Sequence, residues 1–382
     1  MTNSYELRLF DISLLTFELT AGSLGEYEVN IKVISGLSHL LPLDLELSGE
    51  GIVKWLQRRV IPKNRAFVEE ILRSLGLSRN NIKDIIDVCK GLSLNDSYWV
   101  VPENFEGRFE DFNLYENRFS EILSLVAYTG IAQSVTEFST SPELTTDGML
   151  PKAWRFVENE GIFLFKGGSS GFANSGREPY CEFYASQIAA AMGLDAVFYD
   201  LESWKGILAS KCKLFTDIDN AFVPVGRVIK SGGISAVISY YEKLGTKYMD
   251  ALRDMLIFDA LIYNEDRHFG NFGLLRNNHT GEIIAPAPIF DNGHSLFNYA
   301  MPEDYTNLDA YAKTRTPVYP GTTFEAICSE LITSRQVEKL KKVFDFSFKR
   351  HPKFNLTEKS LVAIEKHLSK RASHLSRFAK AN

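Results

Sequence analysis

The sequence predicts an α+β chain with a two-lobed layout: a sheet-rich lobe carrying one helix, then a helical lobe. Strand patterns dominate residues 140–217 and helical periodicity dominates after residue 245. Where the long apolar pattern of residues 246–263 runs out, Ile262–Gly273 (I-Y-N-E-D-R-H-F-G-N-F-G) crowds Asp266, Arg267, His268 and Asn271 together. A cleft between two such lobes is a place where nucleotides bind.

Composition sets outer limits. A chain of 382 residues suggests two to three domains, and 45% hydrophobic with 24% charged residues is that of a globular protein. The net charge of −6 argues against broad nucleic-acid binding. Cys89, Cys181, Cys212 and Cys328 are far apart and form no C-x-x-C pair, so they read as reduced thiols of a cytoplasmic protein. No basic leader precedes an apolar core and no long apolar run exists, so neither a signal peptide nor a membrane span is expected.

Residues 1–130 read as an α+β accessory domain. Tyr5–Thr20 alternates loosely, as one or two strands do. Ser48, Asn64 and Asn80 or Asn81 are placed to cap three helices, the first through about Val60, with Pro62, Gly76 and Gly91 past their ends. Leu92–Pro102 reads as a turn and short strand, and Leu114–Ala127 as a further helix. No catalytic cluster occurs here, which points to packing or partner contact.

Residues 131–217 form the expected sheet lobe. Ser139–Trp154 is polar and turn-rich, with Asp147-Gly148 as a tight turn between strands. Gly161–Lys166 is a buried strand ending in a lysine, and Gly167–Gly171 is a glycine-rich loop. A helix carrying Glu182 follows from about Gly176 to Met192, with Gly193 at its end. Asp195–Asp217 reads as two strands joined by Ser203–Gly206. In residues 218–382, Thr246 caps a helix through about Tyr263 with Met249, Leu252, Met255, Leu256 and Asp259 near one face. Gly273–Arg276 and Ile283–Phe290 form a hairpin, and Phe324–Phe378 is mostly helical.

The order Lys166, Glu182, Asp266, Asn271, Asp291 suits phosphoryl transfer, which needs positioning and charge neutralisation. Asp266 can accept the proton of an attacking hydroxyl. Asn271 and Asp291 offer the hard oxygen ligands that Mg²⁺ prefers. Lys166 can reach the α- and β-phosphates of ATP, held by an ion pair from Glu182. His268 either orders the loop backbone or transfers a proton directly; Asp266 is the better-placed base. Arg267 is either a surface charge or the partner of a carboxylate in the cleft. A Walker A loop, a dinucleotide G-x-G-x-x-G and the signatures of cysteine nucleophiles are all missing. A single histidine among carboxylates points to Mg²⁺ over Zn²⁺.

Asp266–Asn271 (D-R-H-F-G-N) followed by Phe290–Gly293 (F-D-N-G) resembles the HipA-like kinases, the toxin kinases of bacterial toxin–antitoxin modules. D-R-H-x-x-N also occurs in phosphatidylinositol 3/4-kinases. Thr145–Lys152 (T-T-D-G-M-L-P-K) is similar to the HipA-like phosphate-binding loop, in which a Ser precedes a Gly by three and a Lys follows that Gly by four. The resemblance covers about residues 140–300. It implies a two-lobed protein-kinase-like fold, ATP and Mg²⁺ as cofactors, and transfer to protein Ser or Thr. It also implies phosphate contacts from Gly148 and Lys152, an adenine-binding hinge near Cys212–Phe215 that includes Lys213 and Phe215, and a small antitoxin partner.

Autophosphorylation in the phosphate loop maps to Thr145, with Thr146 adjacent. Thr145 stands where the family carries Ser, and Leu150 where it carries Gln. D-N-G stands where protein kinases carry D-F-G. Asn264 occupies the position, two before the Asp, where other kinases carry His, which favours the HipA and phosphatidylinositol-kinase side of the fold. Two other readings stay open: a phosphatidylinositol-type lipid kinase, though no basic membrane-facing stretch lies beside the site, and a nucleotide-binding homologue without turnover, though all five key residues are present.

Overall fold

The computed structural model describes residues 2–22, 26–78, 81–135 and 140–379. Asn80 and Ser139, both named above, lie outside the described residues. The chain forms two compact units. One comprises Met1–Lys166, Leu214–Val223 and Leu274–Ile284; the other comprises Gly167–Lys213, Pro224–Gly273 and Ala285–Asn382.

The first unit opens with β1 (Thr2–Leu9), β2 (Ile12–Ala21) and β3 (Tyr27–Ile34), an antiparallel meander whose last strand the sequence reading missed. Tyr5, Leu7, Leu9, Phe17 and Leu19 alternate inward, which gives the sheet one buried face. Helices α1 (Gly49–Gln57), α2 (Val68–Ser74) and α3 (Ile82–Cys89) pack Ile52, Trp55, Ile71, Leu72, Ile85 and Ile86 into the same core. β4 (Tyr98–Pro102) then pairs with β1 and completes the order β3-β2-β1-β4.

Capping was predicted well at Ser48 and Asn81, which accept the N–H groups of Gly51 and Asp84. α1 ends at Gln57, short of Val60. Asn64 caps nothing: residues 62–65 form a turn closed by Arg65 N–H on the Pro62 carbonyl, and α2 begins after Phe67, whose φ is 59°. α4 (Phe109–Phe112) is one short turn, and α5 (Glu121–Thr129) starts seven residues later than expected. The Asn113 side chain takes the N–H groups of Tyr115 and Glu116, which holds that stretch in a turn, and Ser120 provides the true cap.

β5 (Lys152–Val157) and β6 (Gly161–Gly167) pair antiparallel, Lys152 opposite Lys166. No strand precedes β5 across Asp147-Gly148; Pro142–Leu144 is a 3₁₀ turn instead, so that pair sits in a loop. In the second unit α6 (Glu178–Met192) closes at Gly193 as predicted. β7 (Tyr199–Trp204) and β8 (Ile207–Lys213) are joined through Lys205 and Gly206, both at positive φ, as a two-residue hairpin demands.

β9 (Asn220–Pro224), α7 (Val225–Val228) and α8 (Gly233–Leu244) were not foreseen. α9 (Thr246–Ile262) follows. Thr246 is its first residue and makes no cap; Gly245 at φ 109° turns the chain in. Apolar residues cover α9 more widely than one face. Met255 to Ile262 are all buried, so α9 is the central helix of its unit, packed by α8 and by the C-terminal helices.

β10 (Gly273–Asn277) and β11 (Ile283–Pro286) form the predicted hairpin, and with β9 a sheet ordered β11-β10-β9. β11 stops at Pro286 rather than Phe290, since Pro286 and Pro288 cannot donate to a ladder. After α10 (Leu308–Ala312) come α11 (Phe324–Leu331), α12 (Ser334–Lys341) and α13 (Glu358–Ser376), the helical end that was expected. Among the described residues no helix is long and apolar enough to cross a membrane.

Phe258 is fully buried on α9. Phe258→Ala should lower stability by ~3–5 kcal/mol through the cavity it leaves, read as a lower urea midpoint.

Candidate functional site

The end of α9 and the loop after it are built around one buried cation. Tyr263 adopts a left-handed conformation (φ 54°) and closes the helix, its N–H bonding to the Asp259 carbonyl. Asn264 then folds back. Its N–H reaches the same carbonyl at 3.0 Å, its Nδ2 donates to Asp259 Oδ1 at 3.1 Å, and its Oδ1 accepts the Asp266 N–H at 3.1 Å.

Arg267 settles the choice posed above. It is buried, with Nε donating to Asp259 Oδ2 at 3.0 Å and a terminal nitrogen donating to Oδ1 at 3.0 Å. Burial works against the Arg267 charge, but the Asp259 carboxylate outweighs it and holds the guanidinium above its usual value. The same guanidinium donates to the Asn271 carbonyl at 3.1 Å, to the Phe290 carbonyl, and to Asn292 Oδ1 at 2.6 Å. Tyr319 donates its hydroxyl to the Arg267 carbonyl at 2.7 Å. Arg267 thereby joins the D-R-H-F-G-N and F-D-N-G segments directly.

Within the first segment, His268 N–H bonds the Asp266 carbonyl at 2.8 Å, and Asn271 Nδ2 donates to that carbonyl at 2.9 Å. His268 is exposed, and its Nδ1 accepts the Gly270 N–H at 3.0 Å, a bond that orders the loop backbone. The Asp266 side chain is half-buried. With its NH₂ committed to Asp266, the Asn271 amide presents its oxygen in a fixed orientation.

In the second segment Asp291 lies at φ 56°, a left-handed conformation uncommon outside glycine. Its N–H donates to the Tyr199 hydroxyl at 3.2 Å. Glu182, buried on α6, accepts the Asn292 N–H at 2.7 Å. A side chain at Gly293 would press on Glu178 and on Glu182 Oε1, so the turn sits hard against α6. The second unit thus brings Glu182, Asp266, His268, Asn271 and Asp291 into one hydrogen-bonded frame. Asp291 and Asn271 offer a carboxylate and an amide oxygen. That donor set suits Mg²⁺, which takes one or two protein oxygens and completes its shell with phosphates and water. Among the described residues no group of three or more His, Cys, Asp or Glu forms a metal cage of its own.

The other predicted residues belong to the first unit, apart from Lys213, which is exposed at the end of β8 in the second. Lys166 is buried in β6, and Phe215 is half-buried after β8. In the loop before β5, Gly148 lies at φ 96°, and a Cβ there would collide with Lys152 Nζ. That ammonium donates to the Asp147 carbonyl at 2.8 Å. A glycine backbone close against a lysine is a suitable cradle for a phosphate. Thr145 is buried, its hydroxyl on the Leu92 carbonyl at 2.8 Å; the Thr146 hydroxyl donates to the Pro142 carbonyl at 2.7 Å and accepts Trp154 Nε1 at 3.1 Å.

Sequence reading missed the roles of Asp259, Asn264, Asn292, Tyr199, Arg65 and Glu143. Asp259 carried a signal: one acid inside an apolar run of a helix must meet a partner.

No family model matches the chain. The serine/threonine-protein kinase CtkA of Helicobacter pylori is 27% identical over 135 residues, 32% of this chain, and the chain spans only 41% of that kinase's length. Among solved structures, HipA of Shewanella oneidensis MR-1, in a toxin–antitoxin complex with HipB and operator DNA, superposes with a TM-score of 0.55 at 14% identity over 97% of each chain. The chain has the fold of that HipA. The H. pylori CtkA structure matches with a TM-score of 0.49 at 18% identity, over 61% of this chain and 91% of its own.

Arg267→Met should cost ~3–5 kcal/mol because Asp259 is left buried without its cation. The double variant Arg267→Met, Asp259→Asn should recover part of that loss, read from urea midpoints. A pH signature follows from Glu143, buried in the loop before β5. Burial pushes its carboxyl up to about 7, against the pull of Arg65, the Trp154 N–H and Lys152. A raised carboxyl contributes stability that is full below the unfolded value near 4.5 and lost as pH rises through about 7. Melting midpoints of the unaltered chain, relative to Glu143→Gln, should therefore fall between pH ~5 and ~8.

Proposed function

We propose that the protein is an ATP- and Mg²⁺-dependent serine/threonine kinase of HipA-like type. The observation that carries this is the Arg267 junction, which holds D-R-H-F-G-N and F-D-N-G in one frame with Asp266, Asn271 and Asp291 at fixed backbone positions. The HipA fold likeness supports the same reading.

In this reading the chain has a two-lobed kinase arrangement: residues 131–217 act as the sheet lobe, 218–382 as the helical lobe and 1–130 as an accessory domain. When bound, Mg²⁺ would supply charge neutralisation at the phosphates. Asp291 and Asn271 hold the metal through oxygen. Gly148 and Lys152 receive phosphate, Lys166 supported by Glu182 steadies the α- and β-phosphates, and Lys213 and Phe215 bound the adenine. Asp266 receives the proton as the substrate hydroxyl oxygen bonds to the γ-phosphorus and the bond to the departing ADP oxygen breaks. His268 orders the loop from which Asp266 projects.

Thr145 is the proposed autophosphorylation site, with Thr146 beside it. Since the Thr145 hydroxyl is buried, modification there requires the loop to open first. A small antitoxin is the partner that the HipA–HipB complex suggests for a toxin role.

The intact mass of purified protein after incubation with ATP and Mg²⁺ is the test, followed by site mapping. A phosphate increment on Thr145 or Thr146 is expected. Asp266→Asn should slow its appearance by ~10²–10⁴-fold, the range for loss of a general base. Asp291→Asn should suppress it and raise the Mg²⁺ requirement. Full activity in either variant would overturn the assigned roles.

A further inference from the structure

The loop before β5 is closed at its base by a residue from far upstream. Arg65 is buried in the turn that precedes α2. One of its terminal nitrogens donates to Glu143 Oε2 at one end of the loop and to the Lys152 carbonyl, at 3.1 Å, at the other. Glu143 Oε1 in turn accepts the Trp154 N–H at 2.7 Å, which ties the loop's start to the first residues of β5. Within the segment, Lys152 Nζ donates to the Asp147 carbonyl and Trp154 Nε1 to the Thr146 hydroxyl. From outside the segment come the Arg65 guanidinium, the Leu92 carbonyl that holds Thr145, and the core into which Leu144 packs.

This is an expensive way to make a core. Burial lowers the Arg65 guanidinium and raises the Glu143 carboxyl, so both charges resist their surroundings. Arg65 Nε and its other terminal nitrogen find no acceptor among the described residues. Apolar side chains would fill the same space without that penalty. What they could not do is make directional bonds to both ends of one loop at once.

We propose that Arg65 is a positioning residue for nucleotide binding: by clasping Glu143 and the Lys152 carbonyl it fixes the shape of the phosphate-binding loop, so that the accessory region sets the affinity for ATP phosphates. This rests on the phosphate-loop reading of residues 145–152. The clasp also keeps the Thr145 hydroxyl covered, so loosening it exposes that hydroxyl.

The test uses the full chain carrying Arg65→Lys, or Arg65→Gln with Glu143→Gln. Lysine keeps the charge but has a single donor head in place of the planar fork. The glutamine pair leaves no buried charge unpaired and guards against simple unfolding. Two readouts are taken: hydrogen exchange of residues 144–151 against that of β1 and β2, and KM for ATP against kcat in Mg²⁺. Faster exchange confined to the loop, with KM raised ~10-fold or more and kcat changed less, is expected. If a folded variant binds ATP as the unaltered chain does and its loop exchanges at the same rate, the clasp has no positioning role. If the unaltered chain binds no ATP at all, the phosphate-loop reading itself falls, and the nucleotide role of Arg65 with it.

Discussion

The ion pair between Arg267 and Asp259 is the constraint on which the order of the candidate site depends. Asp259 cannot stay ionised inside an apolar helix without a cation and further donors, and Arg267 with Asn264 provides them. Having satisfied Asp259, the planar guanidinium still has donors to place, and it places them on the carbonyls of Asn271 and Phe290 and on Asn292. A lysine offers a point charge and could not span these directions. One side chain therefore carries the position of the helix α9 into two loops. Phe269 and Phe272 add aromatic packing beside that polar frame, Phe269 against both Phe272 and Tyr319.

This arrangement explains why the candidate site's residues, but not their supports, stand out in the sequence. The acidic and amide residues Asp266, Asn271 and Asp291 announce themselves by type and spacing, because metal and proton chemistry accepts few side chains. The supports are harder to see. Asn292 and Tyr319 bond partners distant in sequence, Arg267 and Glu182 for the first and the Arg267 carbonyl for the second, and nothing in local pattern indicates such pairings. Glu182 was placed correctly on a helix and named for its charge, yet its bond to the Asn292 N–H depends on how the turn at Gly293 lies against α6.

The fold shows the same division. Boundaries set by local chemistry were predicted where the chemistry is self-contained, as at the Ser48, Asn81 and Gly193 caps. They failed where a side chain competes for the backbone: Asn113 holds a turn where apolar spacing suggested helix. The central place of α9 was also hidden. Lys247, Asp250 and Arg253 mark an outer face on its first half, but Met255 to Ile262 are buried all round, and only neighbours on every side explain that. Strand β3 is different: Tyr27, Val29, Ile31 and Val33 alternate with Glu28, Asn30 and Lys32, so its pattern is present in the sequence and was passed over.

Arg65 and Arg267 apply one physical device at different places in the chain. Each is a fully desolvated guanidinium, paired to a single buried carboxylate and then extended to backbone carbonyls of a loop. Such a pair is a poor source of stability compared with apolar packing, because desolvation offsets most of the attraction. Its advantage is geometry. A carbonyl bonded to a rigid fork is fixed in direction as well as in distance, and loops rich in glycine and polar residues have few other means of becoming rigid. Residues 143–152, 266–271 and 290–292 carry part of the proposed site, and these are the segments so treated. Packing still holds Leu144, Phe272 and Ile289, but the direction of the loop carbonyls rests on very few bonds. That makes the carboxylates Glu143 and Asp259 the points at which each loop's order is most exposed to change.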